Sequence, residues 1–497
     1  MGTLSFMLPP GLDAALAQEL ERACVAGGPD NFPLPTTVQL EPDALILRRS
    51  VEESGCLVLP WDIAGAGRLM ASTATVIERQ QPYHLQVELA RGKVNQLRCQ
   101  VADWQEKLGF QMPEPLAQEV RQACLAFTKA VTQPPSVQAG KKAQAALELG
   151  YRSAEQLAGE YVEQMFQARH QRQPRLDTSL GCCLGTAPVQ GERAALLSRA
   201  FNSVRLPLAW NEVEPAEGSY RWESYDALLA WAGSQGLAVT AGPLIDFSPS
   251  RLPDWLWLWE RDPSSLAGFM CDYVETAVKR YGGTVQSWQL TAASNSATVL
   301  DLGEDELLWL TARLAEVARQ VNPKLELIVG ISQPWGEYMA AEDRTHSPLI
   351  FADTLVRAGL NVAALDLELV LGVTGRGSYC RDLMETSRLL DLYTTLGVPL
   401  RVTLGYPSSR EPDAKAYAEL EAAAGQWHGE MGPEAQAHWA SAFTALALAK
   451  QAVRAVHWVH LSDAEPHHFP RCGLFDADDR PKPALQRLRE LRDRHLR

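Results

Sequence analysis

Short apolar runs alternate with amphipathic segments through the last two thirds of the chain. The runs predict eight strands, at residues 178–183, 202–208, 238–245, 285–290, 325–331, 362–369, 399–404 and 454–461. Between them apolar residues recur at helical spacing, as in residues 265–281, which end at Gly282-Gly283. Eight such repeats over about 320 residues predict an α/β protein with a closed (β/α)₈ TIM barrel. A doubly wound sheet is the alternative, but Leu180-Gly-Cys-Cys-Leu-Gly-Thr matches G-x-G-x-x-G poorly.

The first part of the chain has a different pattern. Residues 37–41 and 44–48 flank the turn-prone Pro42-Asp43, and residues 83–89 alternate polar and apolar side chains. Short strands divided by turns predict a β-rich, sandwich-like domain over residues 1–111. Two stretches with helical spacing then predict a helical connector over residues 112–174. The barrel is expected to occupy residues 175–497.

Composition narrows the classes of partner. The net charge of −14 argues against binding to a phosphate backbone, which needs clustered Lys and Arg. The nine cysteines form no C-x-x-C pair and indicate free thiols in a reducing compartment. No apolar run approaches the ~20 residues that span a bilayer, and residues 1–20 lack a signal-peptide pattern. We therefore expect a cytoplasmic protein that binds neither nucleic acid nor membrane.

Three groups of motifs carry a family resemblance. The stretch 201–222 reads FNSVRLPLAWNEVEPAEGSYRW, and Gly242-Pro-Leu-Ile-Asp is followed by Leu252-Pro-Asp-Trp. Near the end stands Gly473-Leu-Phe-Asp-Ala-Asp-Asp-Arg-Pro-Lys-Pro-Ala. In this order the motifs resemble glycoside hydrolase family 10, the endo-β-1,4-xylanase family. The resemblance implies a barrel whose mouth binds xylan-type sugars and, in active members, two catalytic glutamates about 5–5.5 Å apart.

The sequence departs from the family at the catalytic positions. The family's fourth strand ends W-D-x-x-N-E, and here Trp288-Gln-Leu-Thr-Ala-Ala places Ala293 at the acid/base position. The seventh strand carries T-E, and here Val402-Thr-Leu-Gly places Leu404 at the nucleophile position. In the second strand, Leu206 and Ala209 stand where the family has an Asn and a Lys that hold sugar hydroxyls. Neither alanine nor leucine can transfer a proton or attack an anomeric carbon.

Other side chains after barrel strands are candidates for a relocated site. The candidate carboxylates are Asp246, Glu337, Glu368 and Asp463. The alternative for each is a helix cap or an ion pair with a nearby arginine. The candidate sugar-stacking rings are Trp210, Trp255, Trp335 and Trp458. The alternation of Trp255, Trp257 and Trp259 would place them on one side of an extended segment, although most tryptophans in such a barrel pack in the core.

One segment, residues 463–468, contains residue types that bind metal ions. Asp463, Glu465, His467 and His468 are suitable ligand types. They lie in a loop with no fixed helical spacing to direct them, so capping and solvation are the favoured interpretation. We predict no metal and no cofactor.

Two functional hypotheses follow, and a third is weaker. The first is a non-catalytic relative of endo-β-1,4-xylanases that binds carbohydrate or a protein partner. The second is a hydrolase of xylan-type oligosaccharides that uses relocated carboxylates. The third is a scaffolding role for the N-terminal domain and helices. An oligosaccharide is the expected ligand, and the sequence leaves its identity and the oligomeric state open.

Overall fold

The computed structural model describes residues 2–28, 30–375, 377–417 and 419–497. The first eight strands are β1 (Gly2–Met7), β2 (Cys24–Gly27), β3 (Phe32–Leu34), β4 (Thr37–Glu41), β5 (Ala44–Arg49), β6 (Cys56–Ile63), β7 (Gly67–Ser72) and β8 (Tyr83–His84). The first four helices are α1 (Ala14–Glu19), α2 (Leu85–Leu108), α3 (Glu114–Val131) and α4 (Val137–Arg172).

The remaining elements belong to the barrel or to its loops. The barrel strands are β9 (Ser179–Cys183), β10 (Ser203–Leu206), β11 (Ala238–Ala241), β12 (Ile245–Asp246), β13 (Ser287–Ala292), β14 (Glu326–Ser332), β15 (Ala364–Val370), β16 (Leu400–Gly405) and, after the loop strand β17 (Gln426–Trp427), β18 (Val453–Trp458). The helices are α5 (Gly191–Ala200), α6 (Trp210–Val213), α7 (Glu223–Ser234), α8 (Pro263–Tyr281), α9 (Glu304–Val321), α10 (Pro348–Arg357), α11 (Leu383–Thr394), α12 (Pro433–Ala449) and α13 (Pro483–His495).

Eight parallel strands close into a barrel. Barrel strands 1 to 8 are β9, β10, β11, β13, β14, β15, β16 and β18, and β12 extends strand 3 alongside strand 4. Strand 1 pairs with strands 2 and 8, and strand 3 pairs with strand 4, which completes the circle. Every strand predicted from the apolar runs is present within a few residues. The (β/α)₈ prediction is confirmed.

Side chains alternate between the inside and the outside of each barrel strand. On strand 7, Arg401 and Thr403 point inward, because Arg401 donates to Thr240 Oγ1 at 2.6 Å and to Ser287 Oγ at 2.9 Å across the barrel. Leu404 therefore points outward, into the layer between strands and helices. Burial and the neighbouring charge of Arg205 lower the pKa of Arg401 to about 10.

Two sheets lie N-terminal to the barrel. One has the order β4-β5-β1-β8, and the other has the order β17-β7-β6-β2-β3, so a barrel loop supplies the edge strand of the second. We call these the N-terminal sheets. The strand predicted at residues 83–89 is wrong beyond His84, because α2 begins at Leu85. Leu85, Leu89 and Leu97 are buried at helical spacing. The seven residues 83–89 are too few to distinguish the two-residue period of a strand from the 3.6-residue period of a helix.

The helices α2, α3 and α4 pack on one another, and α4 also packs against the barrel. The 36-residue α4 packs on α11 and α12, so the connector is packed rather than extended. Lys93 of α2 forms an ion pair with Asp382, the N-cap of α11, and both side chains are buried. The Lys93 ammonium also lies 4.0 Å from the ring centroid of Tyr151. Among the described residues, no helix is both long and apolar enough to cross a membrane.

We predict that Lys93→Met destabilises the protein by about 3–5 kcal/mol, because it leaves the Asp382 carboxylate buried without its partner. Adding Asp382→Asn should recover most of this loss, since asparagine removes the charge and still caps α11. The measurement is the midpoint of urea unfolding. Lys107→Met, at a lysine that is 68% exposed on the same helix, is the matched control and should change stability by at most about 0.5 kcal/mol. Equal midpoints for Lys93→Met and the control would contradict the prediction.

Candidate functional site

A cavity of about 560 Å³ opens at the C-terminal mouth of the barrel. Its sides come from the loops after barrel strands 1, 2, 3 and 8. Its floor is formed by inward-pointing residues of the strands, namely Arg205, Gln289, Ala292, Glu368 and Thr403. This end of a TIM barrel is where enzymes of the fold place their sites, and the volume is in the range of small-molecule sites.

An ion pair lies beneath the floor. Arg205 of strand 2 donates to Asp366 Oδ2 of strand 6 at 2.5 Å, and both side chains are at most 5% exposed. Thr403 Oγ1 lies 3.1 and 2.9 Å from the two oxygens of the same carboxylate. Burial lowers the pKa of Arg205, but the charge of Asp366 outweighs this and raises it above its ordinary value. Near the end of strand 7, the inward-pointing residue is therefore Thr403, whose hydroxyl donates to the buried carboxylate of Asp366.

The end of strand 4 presents small side chains. The pairing register with strand 5 shifts between Gln289 and Thr291, and this irregularity turns both Gln289 and Ala292 toward the cavity. Ala293 follows immediately with φ 58°, a left-handed conformation unusual for a residue other than glycine, and it is 1% exposed. Ala293 and Leu404 therefore lie at the ends of strands 4 and 7, as expected, but Leu404 faces away from the cavity. Its inward neighbour is Thr403.

Two of the four candidate carboxylates line the cavity. Asp246, at the end of strand 3, accepts hydrogen bonds on Oδ1 from the backbone N–H of Ser248 at 3.0 Å and from its hydroxyl. Glu368 lies on strand 6, two residues beyond Asp366, and so shares its inward face. Both residues have protein partners.

The other two candidate carboxylates are engaged elsewhere. Glu337 pairs with Arg381 and accepts the N–H of Tyr379, so it ties together the loops after strands 5 and 6. Asp463 is 2% exposed and bonds the Lys482 ammonium at 2.6 Å. Neither Glu337 nor Asp463 belongs to the cavity lining, and each carboxylate is engaged in an ion pair.

Two further carboxylates line the cavity; sequence reasoning missed Glu212 and considered Glu465 only as a metal ligand. Glu212 follows strand 2 and lies 3.7 Å from Arg251, with its side chain 40% exposed. Glu465 follows strand 8 and pairs with Arg193, with both side chains largely buried. Their positions just after barrel strands were a usable signal, but Glu212 lay within a motif taken as a family marker. The cavity also contains His460, His467 and His468.

Only one of the four candidate tryptophans touches the cavity. Trp210 lines it, donates to Glu214 Oε2 at 2.7 Å and stacks on Tyr273 at 5.1 Å between centroids. Trp255 supports Trp210 from behind, edge to face at 5.8 Å. Trp335 lies under the Arg381 guanidinium at 4.4 Å, and Trp458 points outward against Trp439. Sugar contacts through Trp255, Trp335 and Trp458 are therefore not supported, because their rings are used in packing.

The segment Asp254–Trp259 is a 3₁₀ helix and not an extended strand. Alternate residues of such a helix do not share one face. The prediction that Trp255, Trp257 and Trp259 line up on one side is wrong for this reason. Trp257 and Trp259 are 36% and 38% exposed, whereas Trp255 is half-buried against Phe269.

His460, Asp463 and His467 come together beside the cavity, with one ligand atom of each within 4.8 Å of the others. The partners of these residues do not suit a cation. Lys482 already supplies a positive charge to Asp463, and both nitrogens of His467 face acceptor oxygens, on Glu465 and Asp413. Both ring nitrogens of His467 and the carboxylate of Asp463 are thus already engaged by groups of the protein.

Charges set the protonation of this cluster. Burial would raise the pKa of Asp463, but the hydrogen bond from His460 and the charge of Lys482 lower it to about 2. Burial lowers the pKa of His460 to about 4, and the stacked His467, whose ring centroid lies 4.3 Å away, lowers it further. The hydrogen bond and the charge of Asp463 act in the opposite direction but do not outweigh these two effects. The buried His460 is therefore neutral near pH 7.

The sequence of the first half of the barrel is similar to that of a known protein family. The family model described as glycosyl hydrolase family 10 matches residues 170–293. Endo-1,4-beta-xylanase C of Paenibacillus barcinonensis is 29% identical over 103 residues, which are 19% of this chain and only 9% of that protein's length.

Solved structures with similarity include several family 10 proteins. A GH10 structure from Paenibacillus barcinonensis has 19% identity and a TM-score of 0.48, and covers 63% of this chain and 94% of its own. The Thermobacillus composti GH10 xylanase has 18% identity and a TM-score of 0.46, with coverages of 66% and 99%. Xylanase 10B of Thermotoga petrophila RKU-1, solved with xylobiose, has 15% identity and a TM-score of 0.47, with coverages of 67% and 96%.

We predict that acidification destabilises the protein through His460. Its folded pKa of about 4 lies below the ordinary 6.5, so the unfolded chain binds more protons between these values and stability falls as the pH drops from 6.5 toward 4. At pH 5 the loss should be about 2 kcal/mol. The measurement is urea unfolding of wild type and His460→Gln, compared at pH 7.5 and pH 5. The free energy of unfolding of His460→Gln should fall less than that of the wild type between pH 7.5 and pH 5. An equal fall in the two proteins would contradict the low pKa of His460.

Proposed function

Since the barrel is family 10-like, we propose that it binds xylan-type oligosaccharides at its C-terminal mouth without hydrolysing them. The cavity supports binding because it combines apolar lining, at Pro207, Val459 and Pro466, with hydrogen-bonding groups on Arg205, Gln289, Asp246 and Glu368. Sugar sites pair apolar surface with such polar groups, since a pyranose has apolar faces and a hydroxyl rim. The matched family and the similarity to a xylanase point to xylan-type sugars.

One observation carries the non-catalytic part of the proposal. Thr403, the inward residue near the end of strand 7, is bonded to Asp366, whose other partner is Arg205. A carboxylate at position 403 would face the Asp366 carboxylate, and like charges in a buried site are strongly unfavourable. Strand 4 offers only Gln289 and Ala292 to the cavity. The retaining mechanism needs two carboxyl groups about 5–5.5 Å apart across the scissile bond, and strands 4 and 7 provide neither.

A second candidate function is hydrolysis by relocated carboxylates. The observation that favours it is that Asp246 and Glu368, on strands 3 and 6, line the same cavity. One would act as the acid and the other as the nucleophile or base. The experiment below separates the two proposals.

We predict that the wild-type protein binds xylotriose but releases no reducing sugar from xylo-oligosaccharides. Binding is measured by isothermal titration calorimetry, and turnover by chromatography after long incubation. Asp246→Asn and Glu368→Gln should weaken binding by about tenfold or less, because each change replaces one charged hydrogen bond with a neutral one. Glu337→Gln, a carboxylate after strand 5 that lies outside the cavity, is the matched control for binding.

Turnover near 1–10 s⁻¹, ordinary for an enzyme, would refute the non-catalytic proposal. If Asp246→Asn and Glu368→Gln then lowered this turnover by about 10²–10⁴-fold while Glu337→Gln did not, the relocated pair would be established. Absence of binding to any xylo-oligosaccharide would refute both proposals.

A further inference from the structure

The N-terminal sheets lie on one side of the barrel mouth. The N–H of Thr36 donates to the carbonyl of Ala340 at 3.0 Å, in the loop after strand 5. The N–H of Met70 donates to the carbonyl of Cys380 at 2.8 Å, in the loop after strand 6. β17, from the loop after strand 7, pairs with β7. The three loops after strands 5, 6 and 7 are thus all covered.

The backbones of the N-terminal sheets and of the loop after strand 7 approach each other closely where β7 pairs with β17. Gly67 has φ 108°, and a Cβ on it would overlap the carbonyl of Gln426. Gly425 has φ 78°, and a Cβ on it would overlap the carbonyl of Arg68. Two glycines on opposite sides of the junction are therefore required by close approach of the two backbones. The neighbouring Glu19 accepts hydrogen bonds from Arg68 and from Tyr379 of the loop after strand 6.

A small apolar cluster lies beside the cavity. Its buried members come from the end of strand 6 and from the loops after strands 6, 7 and 8, and they are Val370, Val373, Leu420, Phe469 and Cys472. Phe469 and the adjoining Val459 face the cavity. The cavity therefore ends at an apolar wall, and the N-terminal sheets support the loops of that wall from the other side.

The opposite side of the cavity is open to solvent. It is lined by Thr186 and Ala187 after strand 1 and by Glu212 and Arg251 after strands 2 and 3. Glu212 is 40% exposed and Arg251 is 26% exposed. Among the described residues, no cavity-lining side chain comes from the first 182 positions. The cavity lining therefore reaches solvent on the side away from the loops that the N-terminal sheets contact.

We propose that the cavity is a dead-end site that takes up one terminus of a xylan-type chain, rather than a groove that binds chain interiors. This inference rests on the proposed sugar-binding function. The wall of the loops after strands 6 to 8 stops the chain, and the remainder of a longer ligand leaves past Glu212 and Arg251. The cavity volume accommodates about two to three sugar units.

The test uses the wild-type protein and xylohexaose carrying a bulky aryl group on one end. One probe is labelled at the reducing end, the second at O4 of the non-reducing end, and unlabelled xylobiose, xylotriose and xylohexaose complete the set. Affinities are measured by isothermal titration calorimetry. We expect affinity to level off by xylotriose, and one of the two labels to lower affinity at least 30-fold while the other changes it less than threefold.

The outcomes separate this inference from the function on which it rests. If both labelled probes bind like xylohexaose, or if both fail while xylohexaose binds, the dead-end site is refuted but sugar binding stands. An affinity that keeps rising from xylotriose to xylohexaose refutes it as well. If none of the unlabelled sugars binds, the proposed function itself fails.

Discussion

The ion pair between Arg205 and Asp366 is the constraint on which the barrel interior depends. It joins strands 2 and 6 below the cavity, and through Thr403 it also holds strand 7. Removing one partner of such a buried pair costs about 3–5 kcal/mol, because the remaining charge keeps its desolvation penalty. The inward position on strand 7, beside the Asp366 carboxylate, is filled by the hydroxyl-bearing Thr403. A carboxylate at that position would face the Asp366 carboxylate at close range, which is unfavourable in a buried site.

The covering by the N-terminal sheets acts on the same site from outside. A TIM barrel ordinarily leaves all eight loops at its C-terminal mouth free to form a site. Here the loops after strands 5, 6 and 7 contact β7 and its neighbours, and among the described residues the loops that line the cavity are those after strands 1 to 3 and 8. The ion pair constrains the chemistry of the cavity floor, and the N-terminal sheets constrain the loops on one side of it. The proposal that the cavity recognises a chain end rests on these two features together.

The sequence predicted the barrel well because each strand is a short apolar run and amphipathic helical segments separate the runs. It failed at residues 85–89, where the helix α2 begins with a segment whose seven residues also fit a strand. The site was predicted in part. Asp246 and Glu368 were candidates because Asp246 ends strand 3 and Glu368 lies in strand 6, but such a position does not reveal which face a side chain takes or which cation it contacts. Glu337 and Asp463 pair with Arg381 and Lys482, which lie far from them in sequence.

The most direct test of the account is a crystal structure of the wild-type protein soaked with xylotetraose at pH 7. The account predicts an intact tetrasaccharide with one terminal sugar over the floor formed by Arg205, Thr403 and Glu368, and with the chain leaving past Glu212. Shortened sugar products, or a covalent bond between a sugar and Asp246 or Glu368, would contradict it. An intact chain lying across the loops after strands 5 to 7 would contradict it equally.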